Sequence, residues 1–272
     1  MDELLFRSKL YDLIPVSDNR EDARFAGLNI FYRLILSAFI LLCCNTSLMA
    51  QSDTGDKAGP ETNLYKATEN YYGADDLLVH GKIYYQDFPL AEGHPYFLDK
   101  DWLPGIIFIK GKTFSGLEIK YDLDMDRVVL NTRDKKGAFV DLMLNSVVID
   151  SLYIKDHFFI STRIMDASAD RVSFLEIVNR NEPMMLIRHE KEFLDDYSDR
   201  HPHGWYRDPT RKLFIYSHGA LADVTGKGAF LKYFEPQKKN IKQYLKKNKI
   251  RYKKASQRQL FDLMEYCSQV GG

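Results

Sequence analysis

Two histidines separated by one residue lie in an acidic stretch in the second half of the chain. His201 and His203 follow Asp199, with two further aspartates just upstream. Imidazole nitrogens and carboxylate oxygens are zinc ligands, and a complete zinc site needs three or four of them. His201, His203 and Asp199 are therefore candidate metal ligands. The alternative is a surface loop rich in Pro and Asp, which brings such residues together by chance.

The adjacent segment Trp205-Tyr206-Arg207 combines two large rings with a cation. Exposed aromatic rings suit sugar rings or the side chains of a partner, so these three residues form a candidate ligand platform. The alternative, which we favour, is a loop pinned by a buried Trp205.

A strongly basic run occupies residues 237–258, where ten Lys or Arg residues occur without any Asp or Glu. On a helix, five of its lysines would cover the polar face: Lys238, Lys239, Lys242, Lys246 and Lys247. Such a face is suited to an anionic surface such as phospholipid head groups, lipopolysaccharide phosphates or nucleic acid. The alternative is a solvated helix face whose charge is balanced by acids elsewhere.

Three alternating aspartates, Asp122, Asp124 and Asp126, imitate the opening of a calcium-binding loop. That loop requires Gly at its sixth position and Glu at its twelfth. Arg127 and Arg133 stand at those positions. We therefore predict a hairpin turn between two strands here.

Known catalytic motifs are missing from the sequence. It contains no G-x-S-x-G, HExxH or CxxC pattern, and Gly226-Lys227-Gly228 lacks the upstream Gly and the Ser/Thr of a phosphate loop. We therefore predict no cofactor and favour a protein that is not an enzyme. A hydrolase stays open, because the paired carboxylates of a glycosidase need not be close in sequence.

The composition is that of a globular protein. Of 272 residues, 45% are hydrophobic and 28% charged, and 38 Lys and Arg balance 38 Asp and Glu. These figures exclude a disordered, collagen-like or polytopic membrane protein, and the balanced charge makes nucleic acid an improbable partner.

Short runs of alternating apolar and polar residues predict β-strands. They occupy 78–85, 105–110, 117–123, 127–132, 138–144, 147–154, 157–162, 171–178, 184–189 and 212–217. With turn residues at intervals of about ten, they indicate a mainly β protein: an antiparallel meander, as a sandwich or a half-open barrel, over residues 77–235.

Two C-terminal amphipathic helices are predicted in a basic tail, residues 236–272. Pro236 suits the first turn of a helix, and Ser256 with Gln259 has the spacing of a capping box. The apolar stripes of the two helices are Ile241, Tyr244 and Leu245, then Leu260, Leu263, Met264 and Cys267. We expect Cys267 to be a small buried hydrophobic residue rather than a nucleophile.

The N-terminal region has the pattern of a secretory signal. The uncharged apolar run at 34–44 is shorter than the about 20 residues that a membrane-spanning helix needs. A short segment of polar and small residues, 45–50, follows it, as before a signal-peptide cleavage site. We predict a signal peptide at 28–50 with cleavage after Ala50, then a flexible polar spacer at 51–76. Residues 1–27 are polar and mixed in charge, unlike the short basic start of a signal peptide, which indicates that translation begins at Leu28 instead of Met1. The alternative is a cytoplasmic extension on a membrane-anchored protein.

Three stretches resemble a group of exported proteins of Gram-negative bacteria to which no activity is assigned. They are GKIYYQDFPLAEGHPYFLDKDW (81–102), GLEIKYDLDMDRVVL (116–130) and IKQYLKKNKIRYKKASQRQLFDLMEY (241–266). The resemblance implies export and a β-rich body followed by basic helices, and it adds no chemistry.

The sequence thus predicts a secreted or periplasmic protein without a membrane span in its mature chain. Peripheral association with the outer membrane is one of the predicted locations. Its predicted role is a non-enzymatic cell-envelope component that contacts an anionic lipid or glycolipid, or an envelope protein, through the basic tail. The alternative function is an envelope or polymer hydrolase that uses the His201 and His203 region.

Overall fold

The computed structural model of the chain describes residues 82–133, 136–165 and 172–271. Three predicted segments lie outside the described residues, namely the N-terminal extension, the signal peptide and the spacer (1–27, 28–50 and 51–76). The described residues belong to one compact unit.

Thirteen strands lie in the described residues. They are β1 (Lys82–Ile83), β2 (Leu103–Ile109), β3 (Lys112–Asp122), β4 (Arg127–Arg133), β5 (Phe139–Met143), β6 (Ile149–Ile154), β7 (His157–Ser161), β8 (Phe174–Ile177), β9 (Met184–Glu190), β10 (Phe193–Leu194), β11 (Trp205–Tyr206), β12 (Thr210–Ser217) and β13 (Ala220–Asp223).

Eleven of these strands form a single antiparallel sheet in the order β1-β5-β4-β3-β2-β6-β7-β8-β9-β12-β13. The sheet is open, because β1 and β13 are its edges and do not pair with each other. The remaining two strands, β10 and β11, pair as a separate small ribbon. The mainly β, antiparallel prediction is confirmed, and one curved sheet takes the place of two stacked sheets.

The first core lies on one face of the six neighbouring strands β4-β3-β2-β6-β7-β8. It includes Ile107, Ile119, Leu152, Phe159 and Phe174. Along β2 every second residue is buried, as expected when alternate side chains point to one face of a sheet. Gly105 belongs to this buried series. A Cβ atom there would lie 2.3 Å from Cδ1 of Ile119 on the paired strand, so any larger residue would force the Ile119 side chain to move.

Tyr121 joins strands that are distant in the sheet order, since three strands separate β3 from β8. Its ring meets that of Phe174 edge to face with centroids 5.6 Å apart, and its hydroxyl accepts a bond from the Phe174 N–H (3.4 Å). The same hydroxyl donates to Oδ1 of Asp126 (2.9 Å), whose Oδ2 is 3.2 Å from Nη2 of Arg188 on β9. The sheet therefore bends until its two halves meet, which corresponds to the half-open barrel of the prediction.

Three helices follow the strands in the described part of the chain: α1 (Lys227–Tyr233), α2 (Lys238–Lys247) and α3 (Gln257–Gly271). They cover β9 and β12 and form the second core, in which Ile187 and Leu213 of the sheet meet Phe230, Ile241 and Leu263 of the helices. None of the helices in the described ranges combines the length and the apolar character needed to cross a membrane.

The tail follows its predicted pattern closely. Ser256 and Gln259 form the reciprocal capping box, in which the Ser256 N–H donates to Gln259 Oε1 (3.0 Å) and the Gln259 N–H to Ser256 Oγ (3.2 Å). Cys267 is 2% exposed, and burial raises the pKa of its thiol to about 12, so it is a packed apolar residue. Helix α1, which lies within the range predicted to be β, was not predicted.

The three alternating aspartates stabilise a turn, as predicted. Asp122 Oδ1 accepts the backbone N–H groups of Asp124 (3.0 Å) and Met125 (3.1 Å), while Oδ2 accepts the hydroxyl of Tyr84 (3.1 Å). Asp126, in the left-handed region with φ of 53°, closes the turn between β3 and β4. Because the carboxylates of Asp122 and Asp126 already accept hydrogen bonds from groups of the fold, we assign this cluster to the turn and not to a ligand site.

Candidate functional site

Three titratable side chains meet where the first core adjoins the second. Glu176 on β8 is paired directly with Phe159 on β7 and with Ile187 on β9. His157 precedes Phe159 by two residues, and His189 follows Ile187 by two. Residues two apart on a strand share a face, so the strand register places both histidines on the same face as Glu176.

Both histidines hydrogen-bond to the glutamate, which is only 1% exposed. His157 Nδ1 contacts Oε1 of Glu176, and His189 Nε2 lies 2.6 Å from Oε2. Burial alone would raise the pKa of Glu176, but these two bonds lower it below its ordinary value. The bond to Glu176 raises the pKa of His157, against the opposing effect of burial. The carboxylate is thus ionised at neutral pH and fixes both imidazoles.

Phe97 lies between the two histidines. Its ring meets that of His157 at 5.1 Å and that of His189 at 4.9 Å between centroids, and it also meets Phe159 at 5.0 Å. All three contacts are edge-on, a geometry that favours aromatic pairs. The segment that carries Phe97 is fixed by the Phe97 N–H, which donates to the carbonyl of Tyr121 (2.8 Å). The imidazole rings are therefore held from two sides.

These groups line a cavity of about 580 Å³, which we call the histidine pocket. Its titratable walls are His94, His157, Glu176, His189, Lys191, Tyr206, Arg207, Asp208 and Arg211. Apolar walls come from Phe97, Leu98 and Ile187, and a volume of this order suits a small organic ligand.

Two half-buried cations stand in the wall of the histidine pocket. Lys191 Nζ donates to the carbonyl of His94 (2.8 Å), and burial lowers the pKa of Lys191. Arg211 Nη2 donates to the carbonyls of Lys253 (3.1 Å) and Ala255 (2.6 Å). Neither cation forms a direct ion pair with a described carboxylate, although Asp208 favours the charged form of Lys191 and Glu176 that of Arg211 from farther away. An anion is the ligand that would compensate both charges.

His94 adds a third nitrogen donor to the same wall. Burial and the charge of Lys191 lower the pKa of His94, so its ring is neutral near pH 7. Fixed imidazoles, a guanidinium and an ammonium around one cavity can bind an anionic group by charge-assisted hydrogen bonds.

Of the three predicted metal ligands, Asp199 and His203 are exposed, and His201 has other partners. His201 Nδ1 lies 2.6 Å from Oε2 of Glu92, and its ring stacks on Trp205 with centroids 5.4 Å apart. Within 82–133, 136–165 and 172–271, no three His, Cys, Asp or Glu side chains are grouped so that they could hold a metal ion. Glu92 thus stabilises the 201–205 loop together with His201.

The predicted ligand platform is divided between the surface and the pocket. Trp205 is half-buried beside His201, and Tyr206 is buried (8% exposed). Arg207 is exposed and pairs with Glu192 (2.9 Å). Tyr206 and Arg207 both line the histidine pocket, whereas Trp205 does not.

The predicted lysine face lies on the outer side of α2, since Ile241 and Leu245 are buried on the inner side. Lys238 is paired with Glu235 (2.8 Å). The other four, Lys239, Lys242, Lys246 and Lys247, are exposed and have no ion pair with any described residue.

Sequence reasoning missed the histidine pocket, although one signal was present. Glu176 interrupts the apolar run Phe174–Val178. A charged residue in such a run is fully buried only when it has hydrogen-bond or ion-pair partners. The partners themselves could not be identified, because only the strand register places His157 and His189 beside Glu176.

Comparisons of the chain with family models, curated proteins and solved structures found no match. The described fold, an open antiparallel sheet with three helices on part of one face, therefore defines the protein only as mainly β.

Proposed function

We propose that the protein binds a small molecule carrying an anionic group in the histidine pocket. The observation that carries this proposal is the pair of half-buried cations in the pocket wall, Lys191 and Arg211. Neither forms a direct ion pair with a described residue, and the negative charges of Asp208 and Glu176 act on them only from farther away. A half-buried cation without a counter-charge in direct contact costs free energy, and a bound anion would recover part of that cost.

The pocket supplies the remaining contacts for such a ligand. Arg211 is fixed by the carbonyls that its Nη2 contacts, so its Nε and Nη1 groups stay in place for an acceptor. Glu176 occupies Nε2 of His189, which leaves Nδ1 of that ring. Phe97 and Ile187 provide apolar surface for the rest of a small ligand.

Titration of the purified chain with hexanoate tests this proposal. We expect saturable binding to the wild type and, in Lys191→Gln, a dissociation constant about tenfold higher, because a charge-assisted hydrogen bond contributes about 1.5–3 kcal/mol. The matched control is Lys212→Gln, an exposed lysine on the neighbouring strand that pairs with Glu190. Equal affinity in Lys191→Gln and the wild type, or no saturable binding, would contradict the proposal.

A second candidate function, association with an anionic surface, has its own support in the lysine face of α2. Four of its five lysines are exposed and without ion pairs among the described residues, and together they concentrate positive charge on one side. The envelope location and the export on which this function depends stay predictions, as does a hydrolase centred on His201 and His203.

Sedimentation with phosphatidylglycerol vesicles tests the second candidate. We expect the wild type to sediment at low salt and to be released at high salt, because salt screens exposed charges. The triple variant Lys238→Glu, Lys242→Glu and Lys246→Glu should not sediment at either salt concentration. The control variant makes the same charge change at three exposed lysines elsewhere: Lys82→Glu, Lys110→Glu and Lys155→Glu. Equal sedimentation of both triple variants would show that the lysine face is not the binding element.

A further inference from the structure

The hydrogen bonds of Arg211 restrict how the histidine pocket can hold an anion. Its bonds to the carbonyls of Lys253 (3.1 Å) and Ala255 (2.6 Å) both come from Nη2, whose two hydrogen atoms are thereby used. A guanidinium pairs with a carboxylate through two parallel bonds, and each such pair of donors combines Nη2 with either Nε or Nη1. Neither pair is complete in Arg211, so this side chain offers a ligand only single hydrogen bonds from Nε and Nη1.

The strand register places an acceptor beside these donors. His189 is directly paired with Arg211 across β9 and β12, and directly paired residues project to the same face of a sheet. Glu176 is ionised and can only accept, so Nε2 of His189, 2.6 Å from its Oε2, carries the proton of the neutral ring. Nδ1 of the neutral ring therefore carries a lone pair.

Nδ1 of His189 is accessible to a ligand. It has no hydrogen-bond partner among the residues that the structure describes. In that part of the chain, buried side-chain nitrogen and oxygen atoms without such a partner are limited to Ser151 and Arg188, so Nδ1 of His189 is not buried. His189 and Arg211 both line the histidine pocket and the cavity next to it, which puts this atom and the free groups of Arg211 at one place in the pocket wall.

His94 and Lys191 add two single donors to the same wall. Nδ1 of His94 accepts the backbone N–H of Tyr96 (3.2 Å) and lies 3.3 Å from Nζ of Lys191. Because Nδ1 is an acceptor and the lowered pKa of His94 keeps its ring neutral near pH 7, the proton of His94 is on Nε2. Lys191 uses one N–H for this contact and one for the carbonyl of His94 (2.8 Å), which leaves a third for a ligand.

Single donors together with one acceptor match a phosphate monoester better than a carboxylate. A carboxylate has two oxygens in one plane, and it only accepts. A phosphate monoester has three terminal oxygens in a tetrahedral arrangement, and one of them carries a proton below about pH 6. The oxygens can accept from Arg211 and Lys191, while the P–OH group can donate to Nδ1 of His189. If the imidazole is protonated instead, Nδ1–H donates to the phosphate dianion, so the contact persists in either state.

The carboxylates in the pocket wall oppose such a ligand only weakly. Both oxygens of Glu176 are bound to the imidazoles of His157 and His189. Asp208 is exposed, and repulsion between exposed charges is reduced by water and salt.

We infer that the ligand of the histidine pocket is a phosphate monoester, held by single hydrogen bonds from Arg211 and Lys191 and by Nδ1 of His189, with its organic group against the apolar wall. This inference rests on the proposed function, because it names the anionic group that Lys191 and Arg211 bind.

Calorimetric titration of the wild type at about pH 6 with hexanoate, hexanesulfonate, hexyl phosphate and inorganic phosphate tests the inference. We expect hexyl phosphate to bind about tenfold more tightly than hexanoate, the effect of one further charge-assisted hydrogen bond. Hexanesulfonate has three oxygens but no proton to donate, so it should bind more weakly than hexyl phosphate. Inorganic phosphate should also bind more weakly than hexyl phosphate, because it has no apolar group to bury.

His189→Gln tests the contact at Nδ1. The amide nitrogen of glutamine can keep the hydrogen bond to Glu176, while Nδ1 is removed. The preference for hexyl phosphate over hexanoate should fall from about tenfold to about twofold or less. The matched control is His218→Gln, the same change at an exposed histidine outside the pocket, which should leave the preference unchanged.

The outcomes separate the inference from the proposed function. Hexanoate, hexanesulfonate or inorganic phosphate binding as tightly as hexyl phosphate overturns the inference and leaves the proposed function in place, and this comparison needs only the wild type. A preference that persists in His189→Gln overturns the contact with His189. Failure of all four anions to bind overturns both the inference and the proposed function.

Discussion

Replacing Glu176 by glutamine is expected to lower the free energy of unfolding by about 3 kcal/mol at pH 6. The carboxylate is 1% exposed and accepts hydrogen bonds from His157 and His189. Glutamine keeps one acceptor oxygen, but it presents an NH₂ group to the other histidine and removes the negative charge. One imidazole N–H then loses its acceptor at the buried end of residue 176. Urea unfolding of the two proteins measures the difference.

The loss in the free energy of unfolding caused by Glu176→Gln should depend on pH, and the pKa shifts of Glu176 and His157 determine how. The pKa of Glu176 lies below its ordinary value of 4.5, so its contribution to stability is present above pH 4.5 and is lost as the pH falls through the lowered value. The pKa of His157 lies above its ordinary value of 6.5, so its contribution is complete below pH 6.5 and is lost as the pH rises through the raised value. The difference between wild type and Glu176→Gln should therefore be largest between pH 4.5 and 6.5.

Glu118→Gln is the control for charge removal alone. Glu118 is exposed on β3, and its substitution should change the free energy of unfolding by no more than about 0.5 kcal/mol at any of these pH values. A Glu176→Gln difference that is equally small, or that stays constant from pH 4 to about 9, would show that the carboxylate does not interact with the histidines as described.

The strands were predictable because burial on one face of a sheet imposes alternation on the sequence. The predicted strand 184–189 corresponds to β9, Met184–Glu190, and 157–162 corresponds to β7, His157–Ser161. The two-residue strands β10 and β11 are too short to show any period. Helix α1 has only seven residues and includes Gly228, so it carries no clear helical stripe.

The site was less predictable than the sheet, because it depends on contacts between strands. Glu176 lies 19 residues from His157 and 13 from His189, and only the pairing of β7, β8 and β9 brings the three together. The clusters that stood out in sequence were local ones. Of these, the aspartates near 124 form a turn, and His201 is paired with Glu92.

Replacing Phe159 by alanine is expected to lower the free energy of unfolding by about 3–5 kcal/mol, the usual range for a large aromatic side chain removed from a core. Phe159 is fully buried, and its ring contacts those of Phe97, Tyr121 and His189. The substitution leaves a void between the first core and the base of the histidine pocket. Urea unfolding measures the loss, and hexanoate titration under native conditions reports on the pocket.

Phe139→Ala is the matched control, because Phe139 is 64% exposed on β5 and its ring contacts the guanidinium of Arg133 at 3.9 Å. Its loss should cost at most about 1 kcal/mol, the value of an exposed cation–π contact, and should leave hexanoate affinity unchanged. If Phe159→Ala also weakens hexanoate binding while the protein remains folded, the ring holds His189 in its binding position. Equal stability losses in the two variants would instead contradict the placement of Phe159 in the core and the continuity of that core with the pocket.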